Sequence, residues 1–419
     1  MKNQANKMRY RIMSILMIVT LMTTLLTGCG SGAGDQTNAG NSTGSVEPKN
    51  TAEATSAPDK SSEKDANTLS AEGAEGKYAD ITDAPSFKLG FIHSSFSDQL
   101  GTMYQKYAEY AAAQLGCEII FAEATEADTR MGALENMIEM GCQGIIASNL
   151  SEPMLHACEE SQTYLVMVGN SIADESLKQT AHENKYYIGS VLVDNYEVGY
   201  SMAQALYEQG CRNVAYLTYP AGRVTTFDER KDGIEGFIKE HSDMEVATVY
   251  SGTDLVGGAE QVLASYSDID GLMSVMHNTA IASAIFSFGL TGQIKYGGID
   301  IQEGTDELLK EGTMAYVAGG AFPNAEICVA MLYNYLTGFE LWEDSREMLK
   351  RPLVELESVE DYQDYMYYIE GDVPVYSGDE LKDICGYFNP DVTWEDVVAL
   401  TQSSSLEDVK TRHANLLEK

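Results

Sequence analysis

Polar and aromatic residues recur at one kind of place in this 419-residue chain: directly after short apolar runs. KLGFIH (88–93) is followed by Ser94, Ser95, Phe96, Ser97 and Asp98, and YLVMVG (164–169) by Asn170. NVAYLT (213–218) leads into a segment from Tyr219 to Arg230 that holds Phe227 and Asp228. GLMSVM (271–276) stops at His277 and Asn278, and IKYGGID (294–300) ends on Asp300. Carboxylates accept hydrogen bonds, guanidinium groups donate them and amides do both. A set of this kind suits the recognition of a small polar molecule. Signals for transforming one are missing. No G-x-G-x-x-G follows the first run, and there is no Walker loop and no G-x-S-x-G elbow. His93 and His277 are tied to no nucleophile by a recognised motif. Asp268-Ile269-Asp270-Gly271 begins like a calcium loop but lacks the remaining ligands and reads as a turn. With no C-x-x-C and no histidine cluster, no metal, cofactor or catalytic residue is assigned, and the chain reads as a non-enzyme.

The elements that must position these residues alternate. Further short apolar runs stand at CEIIFA (117–122), GIIAS (144–148), YYIGSV (186–191), EVATVY (245–250) and MAYVAG (314–319). Runs this short and this continuously apolar suit strands covered on both faces, as in parallel sheets. Between them Met131, Leu134, Met137 and Ile138 repeat at helical spacing, as do Val198, Met202, Ala205 and Leu206, with Asp194 placed to cap the second helix. Strand–helix alternation implies an α/β architecture, and about ten strands fit two doubly wound parallel-sheet lobes. In such sheets ligands bind outside the carboxyl ends of the strands, where the polar residues fall. Gly116-Cys117, Gly141-Cys142 and Gly210-Cys211 each close a helix and open a strand. The glycines read as C-caps and the cysteines as small buried residues, so the six cysteines after Cys29 are expected to be unpaired.

The start of the chain has a different task. Lys2, Lys7, Arg9 and Arg11 precede an apolar stretch from Ile12 to Leu26, short for a membrane span but suited to a signal peptide. Leu26-Thr27-Gly28-Cys29 resembles a bacterial lipobox: small residues admit a peptidase, and the Cys29 thiol takes the lipid. Residues 1–28 are expected to be removed, and 29–78, rich in Gly, Ser, Thr and Asn, to be a flexible tether. The protein is then membrane-anchored on the extracytoplasmic side. The net charge is −37 and becomes four units more negative without the signal, which argues against nucleic acid as a partner.

The body resembles the ribose-binding type of solute-binding protein, the sugar receptors of ABC importers. The residues that carry the likeness run from 87 to about 338. They are Ile188-Gly189 with Asp194-Asn195 and Gly199, then DIDGLMSVMHN, then YGGID, and early on Met140-Gly141-Cys142-Gln143-Gly144-Ile145-Ile146. The resemblance implies two lobes, mainly 87–190 and 191–313, with the chain returning to the first after 314. Hinge segments join them over one ligand (solute-binding domain 79–338). Of the family's ligand positions, Asp300 matches directly, and Arg230 matches the second Arg of its motif, where Asp228 replaces the first. The Asn-Asp pair appears as His277-Asn278, and the late Gln as Gly319 with Phe322 close behind. The aromatic pair after the first strand is missing, and Phe96 or Tyr104 is placed to substitute. The expected site therefore has a polar side of Asp98, Asn170, Asp228, Arg230, His277, Asn278 and Asp300. Its apolar side is Phe96, Phe227 and Phe322. Arg230 has a competing use, pairing with a neighbouring acid, and His277 a competing buried role.

Residues 339–419 lie beyond the likeness and are expected to pack on the body, with Thr393-Trp394-Glu395-Asp396 as a capping box. The expected function is a monomeric, lipid-anchored receptor that delivers a sugar or related solute to an ABC permease. A sensory subunit signalling to a membrane kinase or chemoreceptor remains an alternative, and a surface hydrolase a weaker one. A nucleoside, signal sugar or oligosaccharide stays open as the ligand.

Overall fold

The computed structural model describes residues 77–78, 83–277, 279–341, 348–372 and 374–417. The expected signal peptide, Cys29, nearly all of the tether, Asn278 and Trp342 lie outside the described residues.

The first sheet is built by strict alternation: β1 (Lys88–His93), α1 (Gln99–Gln114), β2 (Glu118–Glu123), α2 (Ala127–Glu139), β3 (Gly144–Ala147), α3 (Glu152–Ser161), β4 (Tyr164–Val168), α4 (Glu175–Glu183) and β5 (Tyr187–Val193). β3, β4 and β5 are buried almost throughout, as strands with helices on both faces must be. The C-caps form as expected. Gly116, Gly141 and Gly210 adopt φ of 69°, 86° and 95°. The amides of Cys117, Cys142 and Cys211 then reach back to Ala112, Met137 and Leu206 at 2.8–3.0 Å. All six described cysteines are free.

The chain then crosses into a second alternating unit: α5 (Asn195–Glu208), β6 (Asn213–Thr218), α6 (Thr225–Glu240), β7 (Glu245–Ser251), α7 (Leu255–Ser265), β8 (Gly271–Ser274), α8 (Thr279–Ser287), β9 (Lys295–Ile299), α9 (Thr305–Lys310) and β10 (Met314–Gly319). It crosses back into α10 (Asn324–Leu336), an almost wholly buried helix packed on the first sheet against β3, β4 and β5. Two short strands follow. β11 (Met348–Arg351) adds to β5 in parallel, and β12 (Val354–Leu356) adds antiparallel to β10. The sheet orders are β11-β5-β4-β3-β1-β2 and β12-β10-β9-β8-β6-β7. The fold is therefore the expected pair of doubly wound lobes.

Two boundaries differ from the expectation. MAYVAG (314–319) pairs with β9 in the second sheet, so the return to the first lobe comes after Gly319 and not after 314. The segment after 339 also does more than pack on the outside, because β11 and β12 extend one sheet each. MLKR and VEL are too short and too polar to read as strands by their apolar pattern. The lobes are joined by three crossings, at 193–195, 319–324 and 351–354.

α11 (Val359–Tyr368), α12 (Gly378–Asp383), α13 (Trp394–Gln402) and α14 (Leu406–Leu417) complete the chain. α13 begins with the expected capping box: the Asp396 amide donates to Thr393 Oγ1 at 3.3 Å, and the Thr393 amide to Asp396 Oδ2 at 2.8 Å. Among the described residues no helix is long and apolar enough to cross a membrane.

α5 and α6 pack so closely that two positions tolerate only glycine. A Cβ on Gly199 would sit 1.9 Å from the Arg230 carbonyl oxygen, and one on Gly233 2.0 Å from that of Tyr196. Gly199→Ala should therefore lower the unfolding free energy by about 2 kcal/mol, read as an earlier denaturant midpoint at unchanged slope.

Candidate ligand-binding site

The carboxyl ends of the two sheets face each other, and the contacts between them are polar. Asn170, just past β4, accepts a hydrogen bond from the Thr226 hydroxyl at the start of α6 at 3.3 Å. Its amide group is oriented by donating to the Ser148 carbonyl at 2.9 Å. Next to it Ser171 donates to Glu229 Oε1 at 3.1 Å, and the other Glu229 oxygen accepts from Asn195 at 3.3 Å. One lobe thus touches the other through hydroxyl, amide and carboxylate groups. Sequence reasoning flagged Asn170 and the Tyr219–Arg230 segment but not Ser171, Thr226 or Glu229 as individuals. The position of a helix start after a strand tip was the only signal for them.

Asp300 is held in an unusual backbone conformation. Its φ is +90°, in a region that side chains rarely adopt, and its amide donates to the Ala318 carbonyl at 2.7 Å. The carboxylate is exposed and has no hydrogen-bond partner among the described residues. Its charge nevertheless acts on Tyr104 of the first lobe, on Tyr365 of the C-terminal segment and on Arg230 of its own lobe. Strain at an exposed, unsatisfied acid between two lobes is stability spent on presentation.

Arg230 is buried behind this edge. Its Nε donates to Asn195 Oδ1 at 3.0 Å and its Nη1 to the Val275 carbonyl at 2.8 Å. These bonds go to an amide and a carbonyl, not to the neighbouring acid that was the competing expectation. Burial lowers its pKa, and the charge of Asp300 opposes that shift. The guanidinium also lies 5.8 Å from the centre of the Phe227 ring, which stacks on Tyr219 at 4.6 Å.

His277 is fully buried at the tip of β8. Its Nδ1 pairs with the Tyr296 hydroxyl at 3.1 Å, while Nε2 has no hydrogen-bond partner among the described residues. Burial pushes its pKa down to about 4, so the ring is neutral. In the first lobe His93 is likewise held below its ordinary pKa by burial, with Asp98 and Glu123 opposing. It sits in an aromatic group with Phe91, Phe96 and Tyr104, and Phe96 packs edge-on against Phe121 at 5.1 Å. The Tyr104 hydroxyl approaches the β4 tip, where a Cβ on Gly169 would lie 3.1 Å from it.

Three expected site residues have other work. Asp98 caps α1 by accepting from the Gly101 amide at 2.8 Å, and Asp228 accepts from the Gly222 amide at 2.8 Å, closing the loop before α6. Phe322 is drawn into the core and stacks on Tyr107 at 6.4 Å. Its place within the second crossing sets it against α1 of the first lobe, where an apolar ring gains more from burial than from the cleft.

The model of the family described as "Periplasmic binding protein domain" matches residues 89–340, more than half of the chain. The chain belongs to that family. Solved structures agree on the fold. A periplasmic solute binding protein of an ABC transporter from Actinobacillus succinogenes, with bound D-allose, superimposes with a TM-score of 0.56 at 21% identity, over 66% of this chain and 99% of its own. A solute binding protein from Bacillus halodurans with bound myo-inositol gives 0.55 at 18%, over 67% of this chain and 99% of its own. One from Agrobacterium vitis with α-D-tagatopyranose gives 0.56 at 17%, over 69% and 99%. No curated protein matches the chain. The expected ribose-binding-type architecture is thus borne out, and membership implies a binding role and an extracytoplasmic place of work. In this binding protein the thiols are poor candidates for covalent chemistry. Burial raises Cys117 to about 11 and Cys158 and Cys211 to about 12, which keeps them protonated.

Two consequences can be measured. Asp300→Gly should relieve the backbone and raise the stability of the ligand-free protein by about 1 kcal/mol, after allowing for the added freedom of glycine in the unfolded chain. The second concerns pH. The His277 pKa is lower folded than unfolded, so the unfolded chain binds the proton first, and stability falls as pH drops from 6.5 towards about 4. Replacing it by Gln should flatten the pH dependence of the melting temperature within that window.

Proposed function

We propose that this binding protein is a lipid-anchored, extracytoplasmic receptor that captures a sugar or sugar-like polyol between its lobes and delivers it to an ABC importer. The observation that carries the reading is the strained, exposed and unpartnered carboxylate of Asp300 at the meeting of the two sets of strand tips. A carboxylate there accepts from two vicinal hydroxyls. Arg230 and Asn170 supply donors on either side, and the Phe227–Tyr219 pair offers an apolar ring face to C–H groups. The solved structures with the same fold hold D-allose, myo-inositol and a tagatopyranose, all polyhydroxylated rings. Ligand touching both lobes favours their approach, so binding and closure form one linked equilibrium. Lipid on Cys29 and a tether over 29–78 would keep the receptor near a permease in the membrane.

The test is a thermal-shift screen of pentoses, hexoses, inositols and nucleosides. A true ligand at 100 times its dissociation constant should stabilise the protein by about 2.7 kcal/mol. Asp300→Ala should remove that shift and leave the ligand-free melting point within a degree or two of the parent. If Asp300→Ala binds as the parent does, the site is misplaced. If no sugar or polyol shifts the melting point, the ligand class is wrong. For the anchor, Cys29→Ser should move the protein from the membrane fraction to the soluble one.

A further inference from the structure

The segment after residue 340 lies outside the matched family region, yet it holds both lobes. α11 packs on α9 and β12 of the second lobe, and α12 packs on α1 and α10 of the first. Between these helices the chain runs across the second crossing. Ile369 and Tyr365 cover Gly320, where an added Cβ would meet each at 3.2 Å. The segment is fastened to α1 along one face. Gln99 Nε2 donates to Glu370 Oε1 at 2.8 Å, and the Tyr107 hydroxyl donates to the Ile369 carbonyl. The Lys106 ammonium donates to the Glu370 carbonyl at 3.2 Å and to that of Gly371, and lies 3.7 Å from Asp372. On the other side burial raises the pKa of Tyr362 in α11, and the charges of Asp306, Glu370 and Glu303 add to it.

We propose that residues 359–372 form a strap across the hinge that limits how far the lobes part and holds the ligand-free protein close to its closed arrangement. Three crossings alone let one lobe pivot on the other. A pivot with the strap in place shears it between α9 and α1 and must break the bonds to Gln99, Lys106 and Tyr107. Apparent affinity scales with the fraction of molecules already competent to bind, so a strap of this kind raises affinity without touching ligand. It also narrows the difference between free and loaded forms that a membrane partner can read. The inference goes beyond the sugar-receptor reading and needs from it only that the two lobes move.

The experiment is small-angle X-ray scattering on the ligand-free protein, comparing the parent with Gln99→Glu and with Gln99→Glu/Lys106→Ala. The first variant sets a carboxylate against Glu370, and the second also removes the ammonium. Gln99 is exposed, so the single variant keeps the fold and carries the test alone if the double variant melts early. Loss of one hydrogen bond to a charged group shifts a two-state balance by roughly tenfold. The expected result is a larger radius of gyration for the variants and a parent whose scattering fits the present structure. Equal radii for parent and variants overturn the strap, as does a parent already expanded. No ligand enters this measurement, so its failure leaves the sugar reading standing, and a failed sugar screen leaves the strap standing.

Discussion

One buried guanidinium holds the hinge together. Arg351, at the end of β11, is fully buried, and each of its bonds goes to a different crossing or segment. Its carbonyl accepts from the Asp194 amide at 3.3 Å in the first crossing, and its Nη1 donates to the Gly320 carbonyl at 2.6 Å in the second. It belongs to the third crossing itself, and its Nε donates to the Tyr376 hydroxyl in the C-terminal segment at 3.3 Å. Lys350, one residue before, adds an ion pair to Asp194 at 3.1 Å. Burying an arginine costs several kcal/mol, and Nη2 has no hydrogen-bond partner among the described residues, so the arrangement depends on the bonds that Nη1 and Nε make to the second crossing and to the C-terminal segment. Glu326 of α10 lies in the same buried region. Burial pushes its carboxyl far up, and the charge of Arg351 pulls it part of the way back.

From that hinge the site inherits its geometry. The strands leave the three crossings with their carboxyl ends turned toward the opposite lobe, so polar residues placed after strands meet there without long loops to carry them. Asn195 shows how close the coupling is. It closes the first crossing, and it orients Arg230 with its side-chain oxygen and Glu229 with its amide nitrogen. A residue that reads as part of a helix start thereby positions both a donor and an acceptor at the edge of the cleft. Glu229 in turn binds Ser171 of the other lobe, so the path from hinge to lobe contact is only two side chains long.

The ten strands of the two lobes were legible in the sequence as short apolar runs, which the inner strands owe to burial on both faces and which the half-exposed edge strands β2 and β7 share. β11 and β12 were not, since a strand of four residues ending in Lys-Arg carries no such run, and its place beside β5 is set by long-range pairing and by the burial of Leu349 and Arg351. The site was legible by position and less so by role. Asp300, Asn170 and Arg230 fall where strand tips predict. Asp98 and Asp228 stand at equally good sequence positions, yet serve backbone amides: Asp98 caps α1, and Asp228, in the first turn of α6, closes the preceding loop on Gly222, because an acid beside a helix start has two uses that its spacing does not distinguish. The strap was invisible for another reason. Its contacts to Gln99, Lys106 and Tyr107 span more than 260 residues, and no local pattern encodes them.

The free cysteines have a consequence beyond packing. Five of the six are buried, which shields their thiols from oxidants in the medium. That shelter lasts only as long as the native state does. A molecule that opens fully outside the cytoplasm bares several thiols together, and random cross-linking then competes with refolding. The lifetime of this binding protein outside the cytoplasm is therefore governed by how slowly it opens, a kinetic barrier, more than by the depth of its equilibrium well.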